Sequence, residues 1–169
     1  MASTPELLAH PSLSALRHSS PSLSLPVLVP TQKFLTQLLD HPAMLAAPPL
    51  SDTVSVFLSS SEAFSHANLG CSIADSVARV RPVVEDALRA GLRVRGYVSV
   101  VLGCPFEGRV PFGQVERVAR ELIGMGCYEV SLGDTIGVGT PDGWEALVER
   151  LRGTVGVERM AVSGRIDWM

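Results

Sequence analysis

The spacing of hydrophobic positions along this chain switches repeatedly between the period of a strand and that of a helix. Leu25 to Pro30 (LPVLVP) is a short apolar run bounded by prolines and reads as a strand, and Gln32 to Asp40 follows as a short helix. His41 to Asp52 holds three prolines and reads as an inserted surface loop. Thr53 to Leu58 (TVSVFL) is β-branched and apolar, the next strand, and Ser59, Ser60 and Ser61 open a polar loop beyond it. From Ser72 the period lengthens: Ile73, Val77, Val80, Val84, Ala87 and Leu88 fall at offsets 0, 4, 7, 11, 14 and 15, the stripe of an amphipathic helix. Ser72 with Asp75 forms its capping start, Pro82 is expected to kink it, and Gly91 ends it. Leu92 to Gly103 is strand-like, and Val115, Val118, Ala119, Leu122 and Ile123 mark a helical face that stops at Gly126. Tyr128 to Leu132 is a further strand. Thr140 as N-cap, Pro141 as first helical residue, and Trp144, Leu147, Val148 and Leu151 on one face define a last helix.

Four strand–helix units in succession predict an α/β fold with a parallel sheet and right-handed crossovers. Periodicity leaves two architectures open, a doubly wound sheet and a section of a barrel. Neither GxGxxG nor GxxxxGK[ST] follows any strand, which weakens a nucleotide-binding reading. In both architectures ligands bind beyond the carboxyl ends of the strands. The candidate segments are therefore Ser59 to Glu62 with Asn68, Tyr97 to Glu107, and Asp134 to Thr140.

The strand at Leu92 carries the clearest local signal. Leu92, Val94, Val98 and Val100 share one face, and Arg93, Arg95, Tyr97 and Ser99 share the other. A parallel strand covered on both sides is apolar throughout, so this polar file points to a lumen or cleft that holds a charged ligand. The residues equally allow Arg95 to pair with a structural carboxylate while Tyr97 satisfies its hydroxyl locally. Asp134 ends an apolar strand within Ser131 to Pro141, where a carboxylate can orient a substrate hydroxyl; from spacing alone, a turn acid accepting backbone N–H groups is the stronger reading. Cys104 has no histidine in a nearby motif to activate it and reads as a buried structural thiol. His10, His18, His41 and His66 never pair at metal-ligand spacing and are assigned to the surface.

Composition narrows the classes. With 169 residues, 46% apolar and 18% charged, the chain can bury a core, yet it falls well short of the roughly 250 residues of a full (β/α)8 barrel. A net charge of −3, with Arg79, Arg81, Arg89, Arg93 and Arg95 interleaved among apolar residues, gives no electrostatic footprint for nucleic acid. Cys71, Cys104 and Cys127 are an odd number without CxxC spacing, against both a disulfide framework and a zinc site and in favour of a reducing compartment. The longest apolar runs are far below the roughly 20 residues of a membrane span. The Ser- and Pro-rich start carries Glu6 and a single Arg17, a poor match to an Arg-rich presequence, and reads as a loop or non-native segment.

Three blocks, Arg93 to Ser99 (RVRGYVS), Leu102 to Gly108 (LGCPFEG) and Met125 to Pro141 (MGCYEVSLGDTIGVGTP), are very similar to hydroxymethylglutaryl-CoA lyases. The similarity extends back through Ser61 to Phe64 and Asn68 to Ser72, and more loosely to Pro26 to Pro30, covering about 140 residues; the insertion at His41 resembles fungal members. The resemblance implies a metal-dependent TIM-type barrel that cleaves 3-hydroxy-3-methylglutaryl-CoA to acetyl-CoA and acetoacetate, here about four consecutive βα units of a partial (β/α)8 barrel. It implies an acyl-CoA partner, Mg²⁺ or Mn²⁺ as Lewis acid, and mitochondria as compartment, with peroxisome or cytosol as alternatives. It also implies a possible homodimer in the full-length form. Asn68, Ser72, Tyr97 and Ser99 resemble substrate-pocket residues and Asp134 the strand-end acid near the reacting centre. With Arg95 from the polar file, the expected site is Asp134 and Tyr97 as catalytic, and Asn68, Ser72, Arg95 and Ser99 as substrate-binding.

The departures from that family bear on the metal. Nothing like its first strand, with an Arg-Asp pair before Gly-Leu-Gln, precedes Leu25. Glu158 to Val162 resembles the strand that leads into a His-x-His metal pair, but Ser163 to Met169 (SGRIDWM) follows instead. No metal ligand is therefore expected in this chain. The organisation expected is a disordered or non-native segment at 1–24, a partial lyase barrel at 25–162 with the inserted loop at 41–52, and a divergent tail at 163–169. A half barrel leaves open edges and an open core, so the isolated piece is expected to be unstable and inactive. A related 2-isopropylmalate or homocitrate synthase and a non-catalytic interaction fragment are the competing readings.

Overall fold

The computed structural model of the chain describes residues 4–20 and 22–164. In chain order the elements are α1 (Thr4–Leu8), α2 (Pro11–Ser19), β1 (Val27–Leu28), α3 (Gln32–Leu39), α4 (Pro42–Leu45) and β2 (Thr53–Ser59). They continue with α5 (Glu62–Leu69), α6 (Ile73–Arg89), β3 (Arg93–Ser99), α7 (Phe112–Met125), β4 (Glu129–Gly133), α8 (Pro141–Arg152) and β5 (Met160–Ser163). Each of the first four strands is followed by a helix that returns the chain to start the next.

The five strands are all parallel and lie in sequence order, β1-β2-β3-β4-β5. A doubly wound sheet reverses its strand order at a switch point, and this one never does. The helices confirm single winding: α3 touches α6, α6 touches α7, and α7 touches α8, one continuous layer over one face. A parallel sheet covered by helices on one face only is a sector of a TIM-type barrel, and its other face is the lumen wall.

The helix-facing side chains make the core. Val54, Val56 and Leu58 of β2, Val94 and Val98 of β3, and Val130 and Leu132 of β4 are buried. They pack beneath Val80, Val83 and Val84 of α6, Val115, Val118 and Leu122 of α7, and Leu147 and Leu151 of α8. Each such side chain contributes about 1.5–3 kcal/mol over its exposed state. Gly96 lies at the closest approach of sheet and helix: a Cβ there would sit 2.8 Å from Leu122 Cδ1 and 3.2 Å from Leu122 Cβ. The absence of a side chain at Gly96 is what lets α7 settle onto β3.

Local chemistry sets the helix ends. Ser72 Oγ accepts the Asp75 N–H at 3.1 Å and donates to the Asp75 carboxylate at 2.7 Å, so the capping start of α6 is formed. Thr140 Oγ1 accepts the Gly143 N–H at 3.2 Å ahead of Pro141. Gly126, at φ 109°, closes α7 in a conformation that favours glycine. Pro82 sits within the continuous span of α6.

Several boundaries differ from those read in the sequence. The first strand shortens to two residues at the sheet edge, where a single neighbour holds it. The polar stretch after β2 contains α5, whose start is capped by Ser61 Oγ accepting the Phe64 N–H at 3.1 Å. The segment at 1–24 holds α1 and α2. Arg17 anchors them by donating to the carbonyl of Leu23 at 2.6 Å and pairing with Asp52 at 3.6 Å. Of the tail at 163–169, residues 165–169 lie outside the described residues.

Candidate functional site

Parallel register stacks the lumen-facing residues into layers. Ser55, Arg95 and Glu129 are neighbours across β2, β3 and β4; Phe57, Tyr97 and Ser131 form the next layer; Ser59 and Ser99 stand at the carboxyl rim. The polar file of β3 therefore faces the lumen, opposite the buried Val94 and Val98. Pro26, Leu28, Ser55, Phe57, Arg95, Tyr97 and Ser99 line a groove of about 650 Å³ on this wall.

Arg95 is central to the wall's electrostatics. Its Nε donates to Glu129 and a terminal nitrogen donates to Tyr97 Oη at 2.8 Å. The structural carboxylate of the local reading is therefore present as Glu129, and the guanidinium also places a cation on the groove. Burial works against the charge, but Tyr97 and the hydrogen bond and charge of Glu129 outweigh it and raise the guanidinium's pKa above its ordinary value. Because Tyr97 Oη accepts from Arg95, its own proton remains free to donate into the groove. The Ser99 hydroxyl makes no hydrogen bond among the described residues, so it too is available.

A belt of hydrogen bonds ties the rim together. Ser60 N and Oγ both donate to the Ser99 carbonyl, at 3.2 and 2.9 Å. Val101 N donates to the Gly133 carbonyl at 3.1 Å, and Asp134 N to the Ser163 carbonyl at 2.9 Å. Val100, buried and β-branched, has φ 59°, a left-handed conformation that costs about 1–3 kcal/mol. Its N–H is received by Thr135 Oγ1 at 2.8 Å. The same belt reaches the loops: Ser61 Oγ donates to Cys104 Sγ at 2.9 Å and Glu107 accepts the Ala63 N–H at 2.8 Å.

Asp134 is buried at this rim, one carboxylate oxygen accepting the Val138 N–H at 3.1 Å and the other the Gly139 N–H at 2.7 Å. Its carboxylate braces the glycine-rich loop from within. Asn68 is exposed near the end of α5 and donates to the Phe64 carbonyl, and Ser72 spends its hydroxyl on the α6 cap. The structure therefore brings Arg95, Tyr97 and Ser99 onto one wall, sets Asp134 on the rim beside them, and leaves Asn68 at the end of α5 and Ser72 at the start of α6. Cys71, Cys104 and Cys127 are buried free thiols. His10 and His41 serve as helix caps, each ring nitrogen accepting a backbone N–H. Sequence reasoning missed Phe57 and Glu129, because their importance lies in cross-strand register.

Among the described residues no group of three or more His, Cys, Asp or Glu side chains gathers, and both Asp134 oxygens are taken by amides. The described part of the chain does not fit a divalent ion. Nor is any described helix long and apolar enough to cross a membrane.

The family model described as HMGL-like matches residues 34–164. This chain belongs to the HMGL-like family. A Pseudomonas aeruginosa protein named 3-hydroxy-3-isohexenylglutaryl-CoA/hydroxy-methylglutaryl-CoA lyase is 56% identical over 108 residues, 64% of this chain and 36% of that one. The mitochondrial hydroxymethylglutaryl-CoA lyase of Bos taurus is 39% identical over 158 residues, 94% of this chain and 46% of that one. The crystal structure of hydroxymethylglutaryl-CoA lyase from Pseudomonas aeruginosa superposes with a TM-score of 0.80 at 42% identity, covering 96% of this chain and 49% of that one. This HMGL-like chain thus spans half or less of the length of these relatives, in keeping with a barrel sector.

Proposed function

We propose that this HMGL-like chain carries the substrate-facing wall of a hydroxymethylglutaryl-CoA lyase, which breaks 3-hydroxy-3-methylglutaryl-CoA into acetyl-CoA and acetoacetate. One observation carries the reading: Arg95, Tyr97 and Ser99 form a polar file on the lumen wall of a chain related to lyases of that name. Such a wall suits an oxygen-rich, anionic acyl chain. The guanidinium supplies fixed positive charge, Tyr97 a proton donor, and Ser99 an uncommitted hydroxyl.

The cleavage removes a proton from the tertiary hydroxyl while the C2–C3 bond breaks and its electron pair passes to the carbon alpha to the thioester, so negative charge moves from an alkoxide to an enolate, which takes up a proton to give acetyl-CoA. Donors held in place before the reaction stabilise such charge without reorganising. Tyr97 and Asp134 are assigned to this centre, Asp134 by holding the Gly133–Gly139 loop in its closed shape. Asn68, Ser72, Arg95 and Ser99 are assigned to substrate. A divalent cation, Mg²⁺ or Mn²⁺, supplies Lewis-acid chemistry in this family, and its ligands belong to parts of the barrel other than the described residues. The mitochondrion is the proposed compartment, supported by the Bos taurus relative, and the cytoplasm is the alternative supported by relatives named cytoplasmic.

Calorimetric titration of the purified chain with 3-hydroxy-3-methylglutaryl-CoA tests the wall. Binding that falls about tenfold in Arg95→Gln is expected, the usual scale for a charge-assisted contact. Binding indifferent to that change, or none at all, overturns the reading. With Mg²⁺ or Mn²⁺ added, the chain alone is expected to release no acetoacetate, and turnover would show that the ion's donors had been misplaced.

A further inference from the structure

Among the described residues Val100 alone, glycines apart, has a positive φ. A buried β-branched side chain persists at φ 59° only where its surroundings over-determine it. Here the peptide between Ser99 and Val100 is gripped at both poles. Its carbonyl accepts from Ser60 N and Oγ, at 3.2 and 2.9 Å, and its N–H donates to Thr135 Oγ1 at 2.8 Å. Successive N–H groups of a regular strand point to opposite sides. Those of Val100 and Val101 both turn toward the β4 side instead, one to Thr135 and the other to the Gly133 carbonyl.

Both grips are themselves anchored. Thr135 follows Asp134, whose carboxylate holds the Val138 and Gly139 amides. Gly139 in turn lies against the loop after β3, where a Cβ on it would sit 2.6 Å from Leu102 Cδ1. The loops after β3 and β4 therefore interlock, and the Thr135 hydroxyl cannot withdraw without opening that packing. Gly133 clears its path: a Cβ there would meet the Val98 carbonyl oxygen at 3.3 Å and stand 3.8 Å from Thr135 Oγ1 and 3.9 Å from Ser99 Cα. Ser60 is buried directly after β2. Neither Thr135 nor Ser60 lines the groove, whereas Ser99, between them, does.

We infer that Thr135 and Ser60 are positioning residues for the groove: they hold the Ser99–Val100 peptide in its strained orientation and so fix where Ser99, the last residue of β3, presents its hydroxyl to the acyl chain. Relaxing Val100 to a negative φ requires that peptide to turn, which carries the carbonyl away from Ser60 and the N–H away from Thr135. Ser99 sits on the same pivot, so its hydroxyl moves with the turn. The substrate's identity rests on the lyase reading, but the grip stands on the hydrogen bonds alone.

The full chain is compared as wild type, Thr135→Val, Thr135→Ser, Ser60→Ala and the double variant Thr135→Val with Val100→Gly. Without ligand, Thr135→Val is expected to speed hydrogen exchange at the Val100 amide about tenfold and to move the Ser99 ¹³Cβ resonance. Thr135→Ser keeps the hydroxyl and leaves both in place, while Ser60→Ala moves the same resonance from the other pole. Titrated with 3-hydroxy-3-methylglutaryl-CoA, Thr135→Val is expected to bind about fivefold more weakly, the scale of one hydrogen bond, and Ser60→Ala about twofold, since the Ser60 N–H keeps its hold. Glycine takes φ 59° without strain, so Val100→Gly is expected to restore the affinity that Thr135→Val lost. Weaker binding with an unmoved Ser99 resonance makes Thr135 a direct contact and overturns the inference; this readout serves where Val100→Gly fails to fold. Unchanged affinity in Thr135→Val, or a folded double variant whose affinity stays low, overturns it as well. If wild type binds no thioester while the Val100 amide and the Ser99 resonance respond as expected, the grip is upheld, and the lyase reading falls together with the ligand assigned to Ser99.

Discussion

On one face of β3, Val94, Gly96 and Val98 are sealed beneath α6 and α7; on the other, Arg95, Tyr97 and Ser99 keep part of their surface open to a groove. The two sets alternate along seven residues of a single strand, yet they answer to different demands. The sealed face is chosen for volume, to the point that Gly96 yields its side chain to Leu122. The open face is chosen for charge and proton donors, and its groups are only partly satisfied by one another. A one-sided sheet of this kind separates folding from ligand chemistry by the pleat alone.

That contrast is sharpest where the sealed face is damaged. Leu122→Ala removes the side chain that fills the space over Gly96 and is expected to cost about 2–5 kcal/mol, read as a lower urea midpoint at unchanged slope. A loss below about 1 kcal/mol would mean that α7 is not packed on β3 as described.

The alkaline side of the stability profile probes the same sealed layer. Burial pushes the Cys127 thiol up to about 12, against a smaller opposing pull from Arg159. An acid whose folded pKa is raised is held in its protonated form, so its contribution is complete below the unfolded value of 9.0 and is lost as pH climbs toward 12. By pH 10 the loss is expected to reach about 1.4 kcal/mol, and Cys127→Ala should remove that part of the slope. Identical slopes in both proteins would contradict it.

At the rim, where the faces meet, a smaller effect is expected. Asp134→Asn keeps one acceptor but gives up the charge that holds the Val138 and Gly139 amides, a change of about 1 kcal/mol. Hydrogen exchange at those two amides should quicken by roughly fivefold. Unchanged protection would return the loop's shape to its glycines.

Smallest of all should be the stability effect on the open face. Tyr97→Phe is expected to move the unfolding midpoint by no more than about 0.5 kcal/mol, while weakening acyl-CoA binding severalfold. A large loss of stability with intact binding would erase the distinction between the faces.

The stripe from Ile73 to Leu88, the caps at Ser72 and Thr140 and the alternation along β3 all follow from local spacing, and each is present in the fold. Helix α5 escaped notice because its eight residues carry too weak a stripe to separate from a polar loop. Asp134 was legible as an acid at a strand end, but not which amides it would hold. Glu129 stood in a predicted strand, yet its pairing with Arg95 depends on a register between β3 and β4 that no local pattern encodes.

The amino-acid order by itself determined the alternation of strands and helices and the division of β3 into an apolar and a polar face, because both are periodicities of a single chain. The tertiary structure decided that the winding is single and the polar face a lumen wall. It also decided that Phe57 borders two cavities and that Val100 is held in a strained turn by Thr135. These are relations between segments distant in sequence, and only the packing of one strand against the next brings them into being.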